Sequence, residues 1–398
     1  MSWEYKTLDQ LGEVTRGRSK HRPRNDPSLF GGEYPFIQTA DVKAANFYIT
    51  EYDTTYNEKG LAQSKLWHPG TLCITIAANI ADTGILAMDA CFPDSVMGFI
   101  PYDEVADVRF VKYCFDILQQ NCKKISQGAA QDNLSWEKLS TILFPAPPVA
   151  VQKKIADILS SFDDLIENNQ KQIKLLEEAA QRLYKEWFVD LRFPGYENTP
   201  IVDGVPEGWH LSAVGECSVL LRRGISPKYA EDGLSTVINQ KCIRQSVMDL
   251  SEARKQEKPF AAEMNLMDSD TIICSTGAGT LGRVGQVFGE YPHTTFDSHV
   301  TLVRASDAIG KQYLYQFLKA KQDYLQGMGK GSTNQLELSR GTIQELPILV
   351  PYDNIQRGFE QQMQPIHDKI TALTKQIKLL CEARDSLLPK LMNGEIEV

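Results

Sequence analysis

The sequence predicts an α+β protein with two similar globular heads, related by pseudo-twofold symmetry and separated by a pair of long antiparallel coiled-coil helices. Three observations support this prediction. A segment of the first half recurs in the second half, each copy carries a long heptad pattern, and the heads combine short apolar runs with stretches of helical spacing.

Length and composition are those of a two-domain soluble protein. The 398 residues exceed one ordinary core and suit two domains of about 150 residues with connecting elements. With 42% hydrophobic and 23% charged residues, the chain has a globular composition. No apolar run approaches the roughly 18 residues that span a bilayer, and the first residues show no secretory signal. We therefore expect a cytoplasmic protein.

The eight cysteines carry no metal or redox signature. They lie far apart, without a C-x-x-C pair or a histidine at zinc-ligand spacing. We expect buried, reduced thiols at Cys73, Cys91, Cys114, Cys122, Cys217, Cys242, Cys274 and Cys381. Neither a metal site nor a catalytic residue is predicted.

The charge distribution is more informative than the net charge of −9, which is unusual because nucleic-acid binders are mostly basic. One window holds five positive charges and no acid, namely Arg16, Arg18, Lys20, Arg22 and Arg24. A local basic strip on an acidic body can bind phosphates while the bulk charge limits non-specific association. The alternative is an ordinary solvated basic loop.

An identical hexapeptide occurs in both halves of the chain. The sequence Lys-Gln-Ile-Lys-Leu-Leu at residues 171–176 returns at residues 375–380, and further matches follow at the same offset. Weaker matches run back towards the start of each half, so the duplication covers nearly the whole chain. The halves differ most in the middle of their globular parts, which predicts a shared scaffold that carries two diverged heads.

Each copy contains an apolar heptad pattern that predicts a long coiled-coil helix. The predicted seam consists of Leu159, Phe162, Ile166, Asn169, Ile173, Leu176 and Leu183 in the first helix and of Ile366, Ile370, Leu373, Ile377, Leu380 and Leu387 in the second. Polar residues stand in these heptad series at Asn169 and Arg384. Such positions fix the register of a coiled coil at a cost in stability.

Antiparallel pairing of the two helices within one chain would place a head at each end of a rod. A helix of roughly 34 residues is about 50 Å long, which is comparable with about one to one and a half turns of B-DNA. Such a rod would act as a ruler between the heads. The alternative is that each helix packs only on the core of its own head.

These patterns divide the chain into five segments. The first head covers residues 1–150, the first helix 151–190, a Pro- and Gly-rich linker 191–208, the second head 209–351 and the second helix 352–398. Residues 70–77 and 270–276 are predicted strands, and residues 110–118 and 312–325 have helical spacing. The second helix is expected to end near Pro389, with Asn393 and Gly394 as its terminator.

The enzyme-like motifs of the chain lack the context that their chemistry needs. Residues 277–282 fit the dinucleotide fingerprint G-x-G-x-x-G, but that fingerprint requires a following helix, and residues 283–291 are β-prone. We interpret the glycines as a tight loop that leaves Arg283 free to face a phosphate or a base. The adjacent residues of Asp297-Ser-His299 cannot form a triad by themselves, since a triad is a spatial arrangement.

Two polar, glycine-containing loops lie at equivalent places in the two halves. Asn and Gln side chains can pair bidentately with adenine, whereas Lys, Arg, Ser and Thr contact guanine or phosphate. Because the loop recurs in both heads, nucleic-acid contact is favoured over an ordinary polar turn. The loop candidates are Gln127, Gln131 and Asn133 in the first half and Lys330, Ser332, Thr333, Asn334 and Gln335 in the second. The other candidates for DNA contact are Asn79, Arg222, Arg223 and Lys228.

The ordered set of motifs resembles the specificity subunit of type I restriction-modification systems. The resemblance rests on Trp3 with the Leu-Gly-Glu of residues 11–13, on residues 144–148 leading to Gln152, on the Val-Pro-Glu-Gly-Trp of residues 205–209, and on the repeated helix. It spans the full chain. Residues 347–356, at the start of the second helix, match less closely than their counterparts in the first copy.

This resemblance implies two target-recognition domains, each reading one half of an asymmetric, interrupted DNA site, with the helices setting the spacer. It also implies that the chain is not an enzyme and binds no cofactor itself. The implied partners are double-stranded DNA, two methyltransferase subunits that use S-adenosylmethionine to methylate a flipped adenine, and motor-endonuclease subunits that use ATP and magnesium.

Two other hypotheses stay open on the sequence alone. One is a coiled-coil scaffold whose heads bind proteins without reading DNA, against which salt-sensitive DNA binding would argue. The other is a nucleotide-dependent enzyme that uses the glycine loop at Gly277, which predicts saturable dinucleotide binding by the isolated chain.

Overall fold

The computed structural model describes residues 3–76, 82–125, 136–243, 247–277, 279–329 and 336–398. The chain forms two compact units. Unit 1 comprises Met1–Asn168 and Ile377–Val398, and unit 2 comprises Asn169–Gln376. Each unit therefore contains one head together with a part of each long helix.

The head of unit 1 contains short strands connected by short helices. Its strands are β1 (Glu4–Lys6), β2 (Gly12–Arg16), β3 (Phe30–Pro35), β4 (Tyr48–Ile49), β5 (Thr55–Tyr56), β6 (Leu66–Trp67), β7 (Leu72–Thr75), β8 (Thr83–Leu86), β9 (Ala90–Cys91), β10 (Val96–Pro101) and β11 (Phe144–Ala146). Its helices are α1 (Leu8–Leu11), α2 (Thr39–Ala44), α3 (Glu58–Ala62), α4 (Val108–Ile125) and α5 (Trp136–Leu139). The first long helix, α6, covers Val149–Tyr184.

A mostly antiparallel sheet forms the centre of this head. Its strands lie in the order β2, β10, β7, β8 and β4, and the β8–β4 pair is parallel. All four residues of β7 are buried, as expected for a short apolar strand covered on both faces. Helix α4 covers one face, where Phe110 and Tyr113 share a core with Ile74. Trp67 and Phe92 belong to a second core on the other face.

The head of unit 2 has a similar composition of elements. Its strands are β12 (Ile201–Val202), β13 (Val205–Pro206), β14 (His210–Ala213), β15 (Ser218–Arg223), β16 (Ser235–Ile238), β17 (Arg254–Gln256), β18 (Thr271–Cys274), β19 (Val284–Gln286), β20 (Thr294–Phe296), β21 (Val300–Ala305) and β22 (Pro347–Val350). Its helices are α7 (Lys311–Ala320), α8 (Gln322–Gly327) and α9 (Arg340–Gln344). The second long helix, α10, covers Asp353–Met392.

The central sheet of unit 2 repeats that of unit 1. Strands β15, β21, β18 and β19 lie in this order and pair antiparallel, as do β2, β10, β7 and β8. Helix α7 covers one face, where Tyr313 and Leu314 share a core with Ile273. A smaller sheet of β17, β16 and β20 contributes Ile238 and Phe296 to the core on the other face. The predicted α+β class and the predicted duplication are therefore confirmed.

Three of the predicted local elements are single elements of the structure, and the fourth is divided in two. The predicted strands at 70–77 and 270–276 are β7 and β18, and the predicted helix at 110–118 is the longer α4. Residues 312–325, whose spacing predicts helix, are helical but divided between α7 and α8. Lys321 lies between them with φ −93° and ψ 7°, and its N–H is shared between the carbonyls of Phe317 and Leu318, which tightens the turn.

The two long helices differ in how they end. Helix α6 contains neither glycine nor proline and runs into a π-helical turn at Lys185–Val189. Helix α10 continues through Pro389 and ends at Met392, so its predicted end near this proline is confirmed. A proline costs about 3 kcal/mol inside a helix, but Leu391 and Met392 are buried in the core of unit 1 and hold the last turn in place. The predicted terminator is observed, since Gly394 has φ +74° and its N–H bonds to the carbonyl of Leu391.

The helices also pair inside each unit. In unit 1, Ile155 and Leu159 near the start of α6 share a core with Leu388 and Leu391 near the end of α10. In unit 2, Phe188 just after the end of α6 shares a core with Phe359 near the start of α10. In each case the early part of one helix meets the late part of the other, which is antiparallel pairing. Both helices also pack on the heads, but the alternative that each helix packs only on the core of its own head is wrong, because the helices share a core in each unit.

The predicted seam residues are buried or half-buried in both helices. The buried face changes register near the end of α6. There the buried residues are Tyr184 and Phe188, whereas Leu183, which the heptad pattern places on the seam, is only half-buried. A straight α-helix drifts against a strict seven-residue repeat, and the π-helical turn adds to this drift.

Candidate nucleic-acid interface

The basic strip of unit 1 begins where β2 ends. Arg16 is the last residue of that strand, and Arg18 and Lys20 follow in the irregular segment beyond it. All three are exposed, and within the described part of the chain none of them forms an ion pair. Their charges are therefore available to an anion from solution.

The backbone of this strip is fixed to the sheet. The N–H of Gly17 donates to the carbonyl of Val96 at 2.8 Å, and the N–H of Arg18 donates to that of Phe92 at 3.0 Å. A Cβ on Gly17 would lie only 2.3 Å from the carbonyl oxygen of Pro93, so this close approach requires glycine. The side chains of the strip consequently project from a rigid edge.

The second half of the strip has an acidic partner. Arg24 donates two hydrogen bonds to the carboxylate of Asp94, at 2.6 and 2.8 Å, and Arg22 lies 3.9 Å from the same carboxylate. The Arg22 guanidinium also donates to the carbonyl of Ser19 at 2.7 Å. The five cations predicted as one strip thus divide into three open and two that share an acid.

The corresponding residues of unit 2 lie at the end of β15. Arg222 and Arg223 are consecutive strand residues, so their side chains point to opposite faces of the sheet. Arg222 lies 3.1 Å from Glu263 on one side, and Arg223 forms an ion pair with Glu337 on the other. The sequence predicts both as DNA contacts, but the strand geometry places them on different surfaces.

Further cations lie beyond this strand. Lys228 pairs with Glu257, whose carboxylate raises the pKa of the lysine. The guanidinium of Arg254 lies 3.6 Å from the centre of the Tyr229 ring, an exposed cation–π contact that sequence analysis missed. Its only signal in the sequence is a short basic run at residues 254–258, without a glycine or a repeat to mark it.

The glycine loop of unit 2 is not followed by the helix of a dinucleotide-binding motif. Gly277, Gly279 and Gly282 all have positive φ, and strand β19 follows them in place of the helix that the fingerprint requires. Arg283 is half-buried directly before this strand. The prediction of a tight loop between strands is confirmed, and the dinucleotide fingerprint is not realised.

The Asp-Ser-His sequence of unit 2 is a structural turn. Asp297 is buried and accepts a hydrogen bond from the backbone N–H of His299 at 2.9 Å, not from its ring. The His299 ring contacts the hydroxyl of Thr276 at 2.6 Å. Burial raises the pKa of Asp297 despite this N–H and the nearby Arg223. Because its carboxylate does not orient the imidazole, the three residues are not a triad.

Nine of the predicted contact residues lie outside the described residues. They are Asn79, Gln127, Gln131, Asn133, Lys330, Ser332, Thr333, Asn334 and Gln335. Their contact with DNA stays a prediction, as it does for the arginines and lysines described above.

In unit 1 the long helices are joined to the head by a buried ion pair. Asp163 of α6 accepts a hydrogen bond from the hydroxyl of Tyr113 at 2.5 Å and another from Arg384 of α10 at 2.5 Å. Burial, together with the carboxylate of Asp163, raises the pKa of Tyr113, so its hydroxyl stays a donor. Arg384, predicted as a polar interruption of the seam, therefore has a specific partner there. Asp163 was missed because it lies outside the apolar heptad series.

We call the attachment of the long helices to a head a joint. In unit 2 the joint is built mainly from aromatic rings. The Phe188 ring lies 4.4 Å from that of Tyr313 and 4.9 Å from that of Phe359, measured between centroids. Nearby, the buried His367 contacts Asp268 at 3.0 Å and the side chain of Gln312 at 3.0 Å.

One polar contact is the same at both joints. Near the start of α6, Gln152 donates to the carbonyl of Pro147 at 2.8 Å and accepts from the N–H of Asp107 at 3.0 Å. Near the start of α10, Gln356 donates to the carbonyl of Pro351 at 2.9 Å and accepts from the N–H of Gly310 at 2.9 Å. The start of the second helix, where the sequence matches its first copy less closely, thus makes the same attachment.

The cysteines and potential metal ligands are scattered over the described part of the chain. No group of three or more His, Cys, Asp or Glu side chains there is arranged to hold a metal ion. Burial raises the pKa of Cys242 to about 11 and that of Cys274 to about 12, so both thiols stay protonated. The described cysteines form no disulfide, and all are buried except the half-buried Cys381; Cys122 lies among the side chains that are not described. In this same part of the chain, no helix is long and apolar enough to cross a membrane.

The chain matches one family in two places. The sequence profile described as type I restriction modification DNA specificity domain matches residues 1–178 and again residues 206–382. The two matches correspond to the two copies of the duplication.

Individual relatives align over nearly the whole chain. The type I restriction enzyme MjaIX specificity subunit of Methanocaldococcus jannaschii is 28% identical over 417 residues, which cover 100% of this chain and 94% of the relative. The HindI specificity subunit of Haemophilus influenzae is 24% identical, over 97% of this chain and 98% of its own length. A crystal structure of a type I restriction-modification S subunit from M. genitalium covers 98% of this chain and 96% of that one, with 18% identity and a TM-score of 0.53, which shows a shared fold.

Proposed function

Since the chain belongs to the type I restriction modification DNA specificity family, we propose that this specificity subunit reads a bipartite, asymmetric DNA site with one head on each half. Specificity subunits are not catalytic, so methylation and cleavage belong to other chains. Within this proposal, the paired helices fix the distance between the two half-sites.

The observation that carries the proposal is a sheet that occurs in both heads with different connecting segments. The same four antiparallel strands occur in the same order in both heads, and an Arg-Gly pair ends the first strand of each. Residues 17–71 connect β2 to β7 in unit 1, and residues 224–270 connect β15 to β18 in unit 2. These two connecting segments are unlike each other. A shared frame with unlike insertions suits two sites of the same kind and different sequence.

The proposal includes two copies of one methyltransferase subunit as partners, and motor-endonuclease subunits beside them. Its support is a repeated surface feature of the long helices. Leu175 and Leu379 occupy the same position of the identical hexapeptide and are exposed by 63% and 55%. Packing in the seam explains why the two hexapeptides share the residues that face inward. Binding of the same partner explains why they also share exposed residues. S-adenosylmethionine, ATP and magnesium would be bound by these partners.

Random-sequence DNA selection on the assembled methyltransferase complex tests the proposed function. We expect a motif of two unlike parts separated by a gap of fixed length and unspecified sequence. Recovery of one continuous palindrome would contradict the bipartite reading. Absence of any enriched motif, with binding that does not depend on salt, would favour a protein-binding scaffold.

A further inference from the structure

Arg16 and Arg223 occupy equivalent places in the two heads. Each is the last residue of the first strand of the common sheet, and a glycine follows each of them. Arg16 lies opposite Met97 of β10, and Arg223 lies opposite Thr301 of β21. Met97 belongs to the core under α4, so Arg16 lies on the face of the sheet that α4 covers. Val303 is two residues from Thr301, on the same face, and belongs to the core under α7. Arg223 therefore lies on the face that α7 covers.

The glycines after these arginines make the same contacts. The N–H of Gly224 donates to the carbonyl of Val300 at 3.0 Å, as that of Gly17 does to Val96. A Cβ on Gly224 would lie 2.1 Å from the carbonyl oxygen of Phe296, so this position also requires glycine. The backbone that presents each arginine is therefore held in the same way in both heads.

The two arginines differ in what occupies their guanidinium groups. Arg16 is exposed and has no acidic partner among the described residues, whereas Arg223 is paired with the carboxylate of Glu337. The Nε–H of Arg223 is buried and, within the described part of the chain, has no acceptor. The carboxylate thus satisfies only part of a guanidinium that could take a second oxygen.

We infer that Arg16 and Arg223 are equivalent DNA-phosphate contacts, and that Glu337 occupies the phosphate position in unit 2 until DNA displaces it. This inference rests on the proposed function. A carboxylate and a phosphate present similar paired oxygens to a guanidinium, so one can replace the other. The side chain of Glu337 is 55% exposed and can swing into solvent when a phosphate arrives.

The exchange has a consequence for how the heads engage DNA. At Arg16 a phosphate contact is gained without the loss of another. At Arg223 the contact with Glu337 must be given up, and exposed ion pairs of this kind are worth little, so the exchange is nearly balanced. The head of unit 1 therefore supplies more of the non-specific attraction, and the head of unit 2 engages fully only where further contacts favour the bound position of its arginine.

The matched control lies one residue away. Arg222 is also paired with an exposed carboxylate, that of Glu263, but it points to the opposite face of the sheet. The inference assigns the phosphate to the face of Arg223 and none to the face of Arg222. Glu263→Gln therefore removes the same charge from the partner of the neighbouring arginine without opening the proposed phosphate position. A general effect of lowering the negative charge of the protein would appear in both variants.

The test measures binding of the assembled methyltransferase complex to short duplex DNA that lacks the target site, at several salt concentrations. Glu337→Gln should tighten this binding by about two- to fivefold, and Glu263→Gln should leave it unchanged. Arg223→Gln should weaken binding less than Arg16→Gln in the otherwise unaltered protein and equally in the Glu337→Gln background. In the Arg223→Gln background, Glu337→Gln should have no effect.

An equal effect of the two glutamate substitutions, or an effect of Glu337→Gln that persists without Arg223, would overturn the inference while leaving the proposed function intact. Failure of the unaltered complex to bind duplex DNA in a salt-dependent manner would overturn the proposed function itself. The slope of log affinity against log salt should fall by about 0.9 in Arg16→Gln, because one phosphate contact is lost.

Discussion

The two units attach the long helices to their heads by different chemistry at equivalent places. Tyr113 of unit 1 donates its hydroxyl to the carboxylate of Asp163, whereas the corresponding Tyr313 of unit 2 donates to the carbonyl of Leu349 and packs its ring against Phe188. One joint is built around a largely buried ion pair and the other around tilted and edge-to-face aromatic rings. The duplicated scaffold is thus compatible with either kind of joint, and both joints keep an equivalent tyrosine and an equivalent glutamine contact.

The difference has a thermodynamic meaning. A buried ion pair contributes little net stability over a well-packed apolar contact, but it is costly to break on one side because a buried charge is left. An aromatic cluster loses stability in proportion to the volume removed. The joint of unit 2 should therefore be sensitive to truncation, and that of unit 1 to the removal of charge.

The largest effect is expected at the aromatic joint. Phe359 is fully buried, so Phe359→Ala should destabilise unit 2 by about 4 kcal/mol. Hydrogen exchange of the α7 amides should speed up far more than that of the α4 amides of unit 1. Phe359→Leu, which keeps most of the volume, should cost about 1 kcal/mol. Equal acceleration in both helices would show that the joints are not independent.

The next effect concerns the ion pair of unit 1. In Asp163→Asn, the amide cannot accept from both Tyr113 and Arg384, and the guanidinium loses its counter-charge, so a loss of about 3 kcal/mol is expected. Asp164, the next residue, is exposed, and Asp164→Asn should change stability by less than about 0.5 kcal/mol. Urea unfolding of the full chain measures both. Similar midpoints for the two variants would show that the buried pair is not needed.

Loss of the shared glutamine contact should destabilise both joints, somewhat more at Gln152, which also donates to the carbonyl of Val105 at 2.9 Å. Gln152→Ala and Gln356→Ala each leave a backbone N–H and a proline carbonyl without their partner, at a cost of about 1 to 3 kcal/mol. The measurement is hydrogen exchange at the start of α4 for the first variant and of α7 for the second. A large loss at one joint with none at the other would contradict the equivalence of the two attachments.

A smaller difference is expected in acid. Although burial disfavours the charge of Asp268, the N–H of Gly289 and the contact with His367 outweigh it and lower the pKa of this carboxyl. Its contribution to stability is therefore present above the ordinary Asp pKa of about 3.9 and is lost as the pH falls through the lowered value. The stability gap between the unaltered chain and Asp268→Asn, from urea unfolding, should be present above about pH 4 and close as the pH falls below it. A gap that widens there would contradict the assignment.

The sequence predicted the parts of the fold that depend on local pattern. β7 and β18 were found because their residues are short, apolar and β-prone, and the long helices because their apolar residues recur in heptads. The end of α10 near Pro389 was predicted from the terminator at Asn393 and Gly394, but the passage of the helix through the proline depends on the burial of Leu391 and Met392, which is a tertiary effect.

The candidate interface was harder to predict because its details depend on distant pairs. Arg223 and Glu337 are 114 residues apart, and Arg384 and Asp163 are 221 apart. A basic run at Arg16 is visible in sequence, but nothing in the sequence separates an open arginine from one that is held by an acid. The equivalence of Arg16 and Arg223 emerges only from the registers of the two sheets.

The most direct test of the account is to lengthen the ruler. One heptad inserted after Leu176 and one after Leu380, at the same place in both repeats, extends each helix by about 10 Å, or about three base pairs of DNA. Random-sequence selection on the assembled complex should then return the two original half-sites, separated by a gap that is longer by about three base pairs. Altered half-sites with an unchanged gap would contradict the claim that the heads recognise the half-sites and the helices set the distance between them.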